Sequence, residues 1–206
     1  MSVSSGVAVV RTGTANLASV LAALRRAGAE PRVTADPDAV RRAERVVLPG
    51  VGAFEAAMER LRETGLDAAL VERVRDARPT LGICLGLQLL GRASDESPGV
   101  VGLGIVPLVA HRFEGSIRVP QLGWNIVTPP TGSRFLEPGH AYFANSYRWD
   151  LPARSEQDRW TFAASDHGGP FVSAAERGTV LACQFHPELS GAWGARLIAR
   201  WLEAAC

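Results

Sequence analysis

The sequence contains no lysine: all 22 of its basic residues are arginine. That absence removes several chemistries at once. A Schiff-base lysine, a covalently held pyridoxal phosphate and the lysine of a phosphate-binding P-loop all need an amine this chain does not have. Cysteine is nearly as scarce. Cys84, Cys183 and Cys206 form no Cys-x-x-Cys pair and no disulfide framework, which fits a reducing cytosol. An excess of one charge is also missing. The 21 acidic residues leave a net charge of +1, so no bulk electrostatic argument points to nucleic acid or to an anionic membrane. Long hydrophobic runs are absent, broken by Gly and Pro, and the first ten residues carry no basic leader. The expectation is a cytoplasmic chain without signal peptide or transmembrane span.

What remains is an ordinary globular composition, 47% apolar and 21% charged in 206 residues, which suits a single domain, 1–206, with a full core. Short apolar runs at 6–10, 31–34, 45–48 and 81–84 predict strands. Helical spacing lies between them: 16–26, closed by Gly28; a short helix opened by Asp36-Pro37-Asp38; then 55–62 and 66–75. Strand and helix alternating across short turns predict an α/β fold with a doubly wound, mostly parallel sheet, whose ligands bind beyond the carboxyl ends of the strands. After Pro98 the texture changes. Runs at 105–113, 124–127, 142–147, 161–165, 171–175 and 179–185 predict an antiparallel β extension that returns to the core through 180–185. A C-terminal helix at 191–204 places Trp193, Leu197, Ile198, Trp201 and Leu202 on its apolar face, and the two tryptophans read as packing.

Three stretches carry chemistry. In Gly82-Ile-Cys84-Leu-Gly86 a strand ends at a cysteine flanked by glycines, with helix formers directly after. This is the logic of the Gly-x-Ser-x-Gly elbow, a sharp strand-to-helix turn in which only glycine tolerates the close approach of neighbouring backbone. The helix that follows aims its first amides at the sulfur, which favours the reactive thiolate. The competing reading is an inert structural cysteine in a binding module. The second stretch, Gln184-Phe-His186-Pro-Glu188, lies about a hundred residues downstream at the end of an apolar run. His186 supplies a base for the thiol, and Glu188, two residues on, folds back to fix its tautomer. A metal site is not expected, because His111, His140 and His167 are scattered without ligand spacing. Cys183 reads as packing. The third stretch, Pro49-Gly50-Val51-Gly52, offers backbone amides after a strand. Beside a cysteine nucleophile it reads as an oxyanion hole shared with the amide of Leu85.

Together, 49–54, 82–90 and 185–188 resemble the class I (triad) glutamine amidotransferases. Residues 118–125 (Arg-Val-Pro-Gln-Leu-Gly-Trp-Asn), 142–147 (Tyr-Phe-Ala-Asn-Ser-Tyr) and 13–20 (Gly-Thr-Ala-Asn-Leu-Ala-Ser-Val) are similar to the glutaminase subunits of imidazole glycerol phosphate synthases. The likeness runs from about residue 7 to residue 203 and implies a flavodoxin-like amidotransferase fold without cofactor. It further implies that Cys84 attacks the side-chain amide of glutamine, that His186 moves the protons and that Glu188 orients His186. Gly50, Gly52 and Leu85 would line the oxyanion hole. Gln88, Asn145, Ser146 and Tyr147 would hold the substrate. The implied partner is a (β/α)₈ cyclase subunit in a heterodimer, which receives the ammonia through a channel; another acceptor pathway, such as pyridoxal phosphate synthesis, is the runner-up. The chain departs from the family's usual pattern at Leu189 (Lys), Gln121 and Asn145 (His) and Leu122 (Met).

Overall fold

The computed structural model describes residues 5–12, 17–153 and 160–203. The 13–16 part of the N-terminal motif and Cys206 lie outside the described residues. The central sheet has seven strands in the order β10-β11-β12-β4-β3-β1-β2. Five of them run parallel: β1 (Ser5–Val10), β2 (Ala29–Thr34), β3 (Arg45–Gly50), β4 (Thr80–Cys84) and β12 (Val180–Cys183). Alternation along these strands fills both faces. Val7, Val9, Val47, Leu81 and Ile83 point to one side with α1 (Leu17–Arg26) and α6 (Gly191–Glu203). Ala8, Val10, Val46, Leu48 and Ala182 point to the other, against α2 (Pro37–Arg42), α3 (Phe54–Glu63), α4 (Leu66–Arg75) and α5 (Leu85–Leu89). Strands covered on both faces must be apolar throughout, which is why β1, β3, β4 and β12 read as short apolar runs, while β2 at the sheet edge carries Glu30 and Arg32 and is only partly covered. Trp193 and Trp201 are buried in the α6 core as expected. No helix among the described residues is long and apolar enough to cross a membrane.

The β extension is real but divided. β10 (Thr161–Asp166) and β11 (Pro170–Arg177) add to the central sheet antiparallel through β12. β7 (Gln121–Val127) and β8 (Gly139–Asn145) form a separate hairpin, while β5 (Ala93–Ser94), β6 (Val109–Arg112) and β9 (Tyr147–Trp149) make a third, small sheet. The predicted run 142–147 is therefore two strands. The chain leaves the hairpin at Asn145 and joins the small sheet at Tyr147, a switch that period-2 patterning does not reveal because buried positions alternate through Phe143 and Asn145 up to it and no Gly or Pro marks the break. Likewise the predicted run 105–113 contains only four strand residues, with Pro107 ahead of them removing a ladder donor.

One buried arginine ties the helices to the sheet. Arg73 has no exposed surface; its Nη1 donates to the carbonyls of Val40 (3.0 Å) and Ala43 (2.7 Å), and its Nη2 to those of Glu44 (3.2 Å) and Pro79 (2.9 Å). Burial first, then the neighbouring Arg78 charge, lowers its pKa from 12.5 to about 10, so it stays protonated at neutral pH. A planar fork can serve four carbonyls; an ammonium cannot. Arg73→Met strands those acceptors, and chemical denaturation should show a loss of about 2–4 kcal/mol in unfolding free energy. A midpoint equal to wild type would show that the clamp contributes nothing.

Candidate active site

β4 ends at Cys84, whose backbone sits at φ 53°, ψ −110°, a region that a side chain normally avoids. Strain of this kind costs about 1–3 kcal/mol and persists only where the surroundings enforce it. They do so through glycine. A Cβ on Gly86 would lie 2.1 Å from the Leu48 carbonyl oxygen, and one on Gly50 would lie 2.6 Å from the Leu85 Cβ. β3, β4 and the start of α5 thus press together at a distance that no larger residue permits. Helix α5 is only five residues long, so the amides near the sulfur act as a local cluster and not as the end of a long dipole.

β12 lies parallel beside β4, with Cys183 paired to Ile83, and delivers His186 three residues beyond its last residue. The His186 amide donates to the Tyr142 carbonyl at 2.9 Å, and Ser190 Oγ donates to the His186 carbonyl at 2.7 Å, so the backbone is held on both sides. Pro187 opens a 3₁₀ turn, Pro187–Leu189, and the turn carries Glu188 back until its Oε1 is 2.9 Å from His186 Nδ1. The imidazole shares the cleft with the Cys84 thiol. Burial alone would lower the pKa of His186. The interactions with Cys84 and Glu188, with the charges of both, outweigh it and raise the pKa from 6.5 to about 10. The arrangement therefore holds a proton on the ring. Cys183 is fully buried, and desolvation, then the Glu176 and Glu188 charges, push its thiol well up, so it is not a competing nucleophile.

A cleft of about 250 Å³ opens over the sulfur, bordered by Val51, Gly52, Cys84, Leu85, Gln88 and Glu96 on one side and by 144–147 with His186 on the other. Larger hollows of about 330 Å³ between α1 and α6 and about 380 Å³ beside β1 and β2 border neither Cys84 nor His186. The cleft thus gathers Cys84, His186, Gly52, Leu85, Gln88, Asn145, Ser146 and Tyr147. Glu188 stands behind the imidazole. Gly50 does not border the cleft; it lies within β3, paired to Cys84, and makes room for the elbow.

Two residues in this arrangement had no assigned role in the sequence reading. Glu96 borders the cleft and accepts from the Phe54 amide at 2.9 Å, which caps α3 where Ala53 offers no side-chain cap. Nothing in its spacing marks it, because the loop that carries it has no periodicity. Gln184 is fully buried beside the sulfur; its place in the Gln-Phe-His-Pro-Glu run was the available signal.

A strained cysteine, an imidazole and a carboxylate at the carboxyl edge of a parallel sheet suit thiol-dependent acyl transfer, and the chain belongs to the family described as glutamine amidotransferase class-I, whose model matches residues 9–204. The more particular likeness is to "Imidazole glycerol phosphate synthase subunit HisH" of Escherichia coli (strain K12), 43% identical over 202 residues, covering 96% of this chain and 98% of that protein. "Imidazole glycerol phosphate synthase hisHF, chloroplastic" of Arabidopsis thaliana is 40% identical over 97% of this chain, which spans 34% of the plant protein. Among solved structures, "Crystal structure of glutamine amidotransferase" superposes with a TM-score of 0.76 at 21% identity, covering 97% of this chain and 98% of that one, which bears on the fold.

The raised pKa of His186 can be observed directly. Nitrogen NMR of the ring should show an imidazolium through pH 8. In Glu188→Gln, which loses one of the groups that raise it, the midpoint should fall by about one unit or more. A wild-type midpoint near 6.5 would contradict the geometry.

Proposed function

We propose that this chain is the glutaminase subunit of an imidazole glycerol phosphate synthase, hydrolysing glutamine to glutamate and ammonia for a cyclase subunit in histidine biosynthesis. The observation that carries the proposal is the strained Cys84 sharing one cleft with His186, which is hydrogen-bonded to Glu188, in a chain 43% identical over nearly its whole length to HisH.

In this reading Cys84 Sγ attacks the side-chain amide carbon of glutamine. The oxyanion is received by the Leu85 amide and by the loop at Gly52. The proton held on His186 passes to the departing nitrogen, leaving a glutamyl thioester. His186 then takes a proton from water, hydroxide adds, and the thiolate leaves with glutamate formed. Glu188 keeps Nδ1 protonated, so that the other ring nitrogen does the exchanging. Gln88, Asn145, Ser146 and Tyr147 hold the substrate from the walls, and the Glu96 carboxylate answers its α-ammonium group. Gly50 is a packing glycine in this scheme.

The partner reading has its own support. Leu122, Trp124 and Ile126 alternate on the outer face of β7 and are each more than half exposed, with Leu189 exposed at 45% nearby in sequence to the catalytic turn. Trp124 packs edge-on against Tyr142, whose carbonyl receives the His186 amide. An apolar stripe of this size on a hairpin suits a protein interface, and the occupant of this reading is the (β/α)₈ cyclase that the family resemblance implies; the plant relative named hisHF is a longer chain, of which this one spans 34%. The reading places the enzyme in the cytoplasm, consistent with free Cys84 and Cys183.

The test is glutamine hydrolysis by the chain alone and with the cyclase and its nucleotide ligand. Activity should be faint alone and rise steeply with both; strong activity indifferent to the cyclase would retain the thiol chemistry and overturn the pathway. In the complex, Cys84→Ala and His186→Ala should each lose on the order of a thousandfold or more, with Glu188→Gln milder. Residual turnover near wild type in Cys84→Ala would remove the nucleophile assignment. Leu122→Asp should weaken cyclase association about tenfold or more, by sedimentation or calorimetry, with the isolated subunit's melting unchanged; unaltered affinity would move the interface elsewhere.

A further inference from the structure

The Cys84 sulfur faces a side-chain amide as well as the imidazole. Gln184 has no exposed surface, and its side-chain Nε2 lies 3.7 Å from Cys84 Sγ. Its main-chain amide is anchored to the Ser173 carbonyl at 2.8 Å. What lies behind the side chain fixes which way round the amide stands. Gln88 Nε2 donates to Gln184 Oε1 at 2.9 Å and to the Tyr147 main-chain carbonyl at 3.2 Å. A main-chain carbonyl can only accept, so Gln88 must turn its NH₂ towards it. That same NH₂ needs an oxygen on Gln184, which leaves the Gln184 NH₂ facing the sulfur. Reversing either amide sets oxygen against oxygen or NH₂ against NH₂ in buried surroundings, where a lost partner is costly. The relay has one direction, from the cleft wall to the nucleophile.

We infer that Gln184 is a catalytic residue of this same reaction, donating a hydrogen bond from Nε2 to the Cys84 thiolate with Gln88 holding it in register. The inference rests on the glutaminase reading and adds a group to it. A thiolate accepts a hydrogen bond more strongly than a thiol or a thioester sulfur does. The donor therefore favours the charged sulfur at two moments: before it attacks the amide carbon, and when it is expelled from the carbon as water completes hydrolysis. No proton leaves Gln184 at either step.

The experiment is the pH dependence of Cys84 alkylation by iodoacetamide on the full-length chain, read at the Cys84 peptide by mass spectrometry. Gln184→Met keeps the bulk and loses the donor. Its acid limb should move up by about one pH unit, a fall of about tenfold in rate at the foot of the limb. Gln184→Glu keeps the bond from Gln88 but sets an oxygen against the sulfur, and should move the limb further. Thermal melting establishes that each variant is folded. If Gln184→Met does not fold, the isosteric Gln184→Glu decides, together with Gln88→Met, which frees the Gln184 amide and should move the limb the same way by less. Superimposable limbs in folded variants overturn the role of Gln184. A wild-type Cys84 no more reactive than buried Cys183 would instead overturn the glutaminase reading itself.

Discussion

The contact on which the site depends is between two pieces of main chain, the Leu48 carbonyl in β3 and Gly86 at the start of α5. A Cβ on Gly86 would come within 2.1 Å of that oxygen, so the helix can approach β3 only where there is no side chain. The approach makes the turn after β4 so abrupt that Cys84 must take a positive φ. The strain is supported by core packing on both faces of the sheet, where Leu48, Leu85 and Leu87 lie in one apolar cluster and Cys84 itself belongs to the other. A nucleophile displayed in this way is a property of the sheet as much as of the cysteine.

Around that fixed sulfur, charge is arranged so that the ring keeps its proton. His186 would lose it to burial in an apolar site, yet the sulfur and the Glu188 carboxylate reverse the sign of the effect. Glu188 can do this from two residues away because Pro187 begins a tight 3₁₀ turn that closes the distance to 2.9 Å. The amide relay through Gln88 and Gln184 reaches the same atom from a main-chain carbonyl at the strand switch. Amide donor, imidazole and the carbonyl that orients the relay thus come from α5, from the segment after β12 and from the junction of β8 with β9, elements far apart in sequence.

Much of this was legible beforehand, and the reasons differ by element. The inner parallel strands showed as short apolar runs because both faces are covered; β2, at the edge, shows only its 31–34 half in that way. The helices showed through spacing and punctuation: Asp36 does cap α2, accepting from the Asp38 amide at 2.8 Å, and the 66–75 helix matches its predicted bounds. The family likeness added the roles of the cleft residues, which spacing alone does not give. The switch at Ser146 was not legible, since no Gly or Pro interrupts the run there. Nor was the place of Glu96, which depends on a loop folding over α3, or the displacement of Gly50 from the cleft wall into the packing beneath the elbow. Tertiary position decides such matters, and local pattern does not encode it.

The hairpin of β7 and β8 is hydrogen-bonded strand to strand with itself, and it is tied to β10 of the seven-stranded sheet by the bridge between Thr128 and Ala164, by Ser165 Oγ donating to the Ile126 carbonyl at 2.6 Å and by Asn125 Nδ2 donating to the Asp166 carbonyl at 2.8 Å. The nucleophile and base, by contrast, are delivered by β4 and β12 in the middle of the parallel sheet. The two parts meet where the Tyr142 carbonyl on β8 receives the His186 amide, and Trp124 on β7 packs edge-on against that same Tyr142. The exposed face of β7 is thus one aromatic contact away from the backbone that carries His186, so a load applied at Trp124 would be felt at the wall of the cleft.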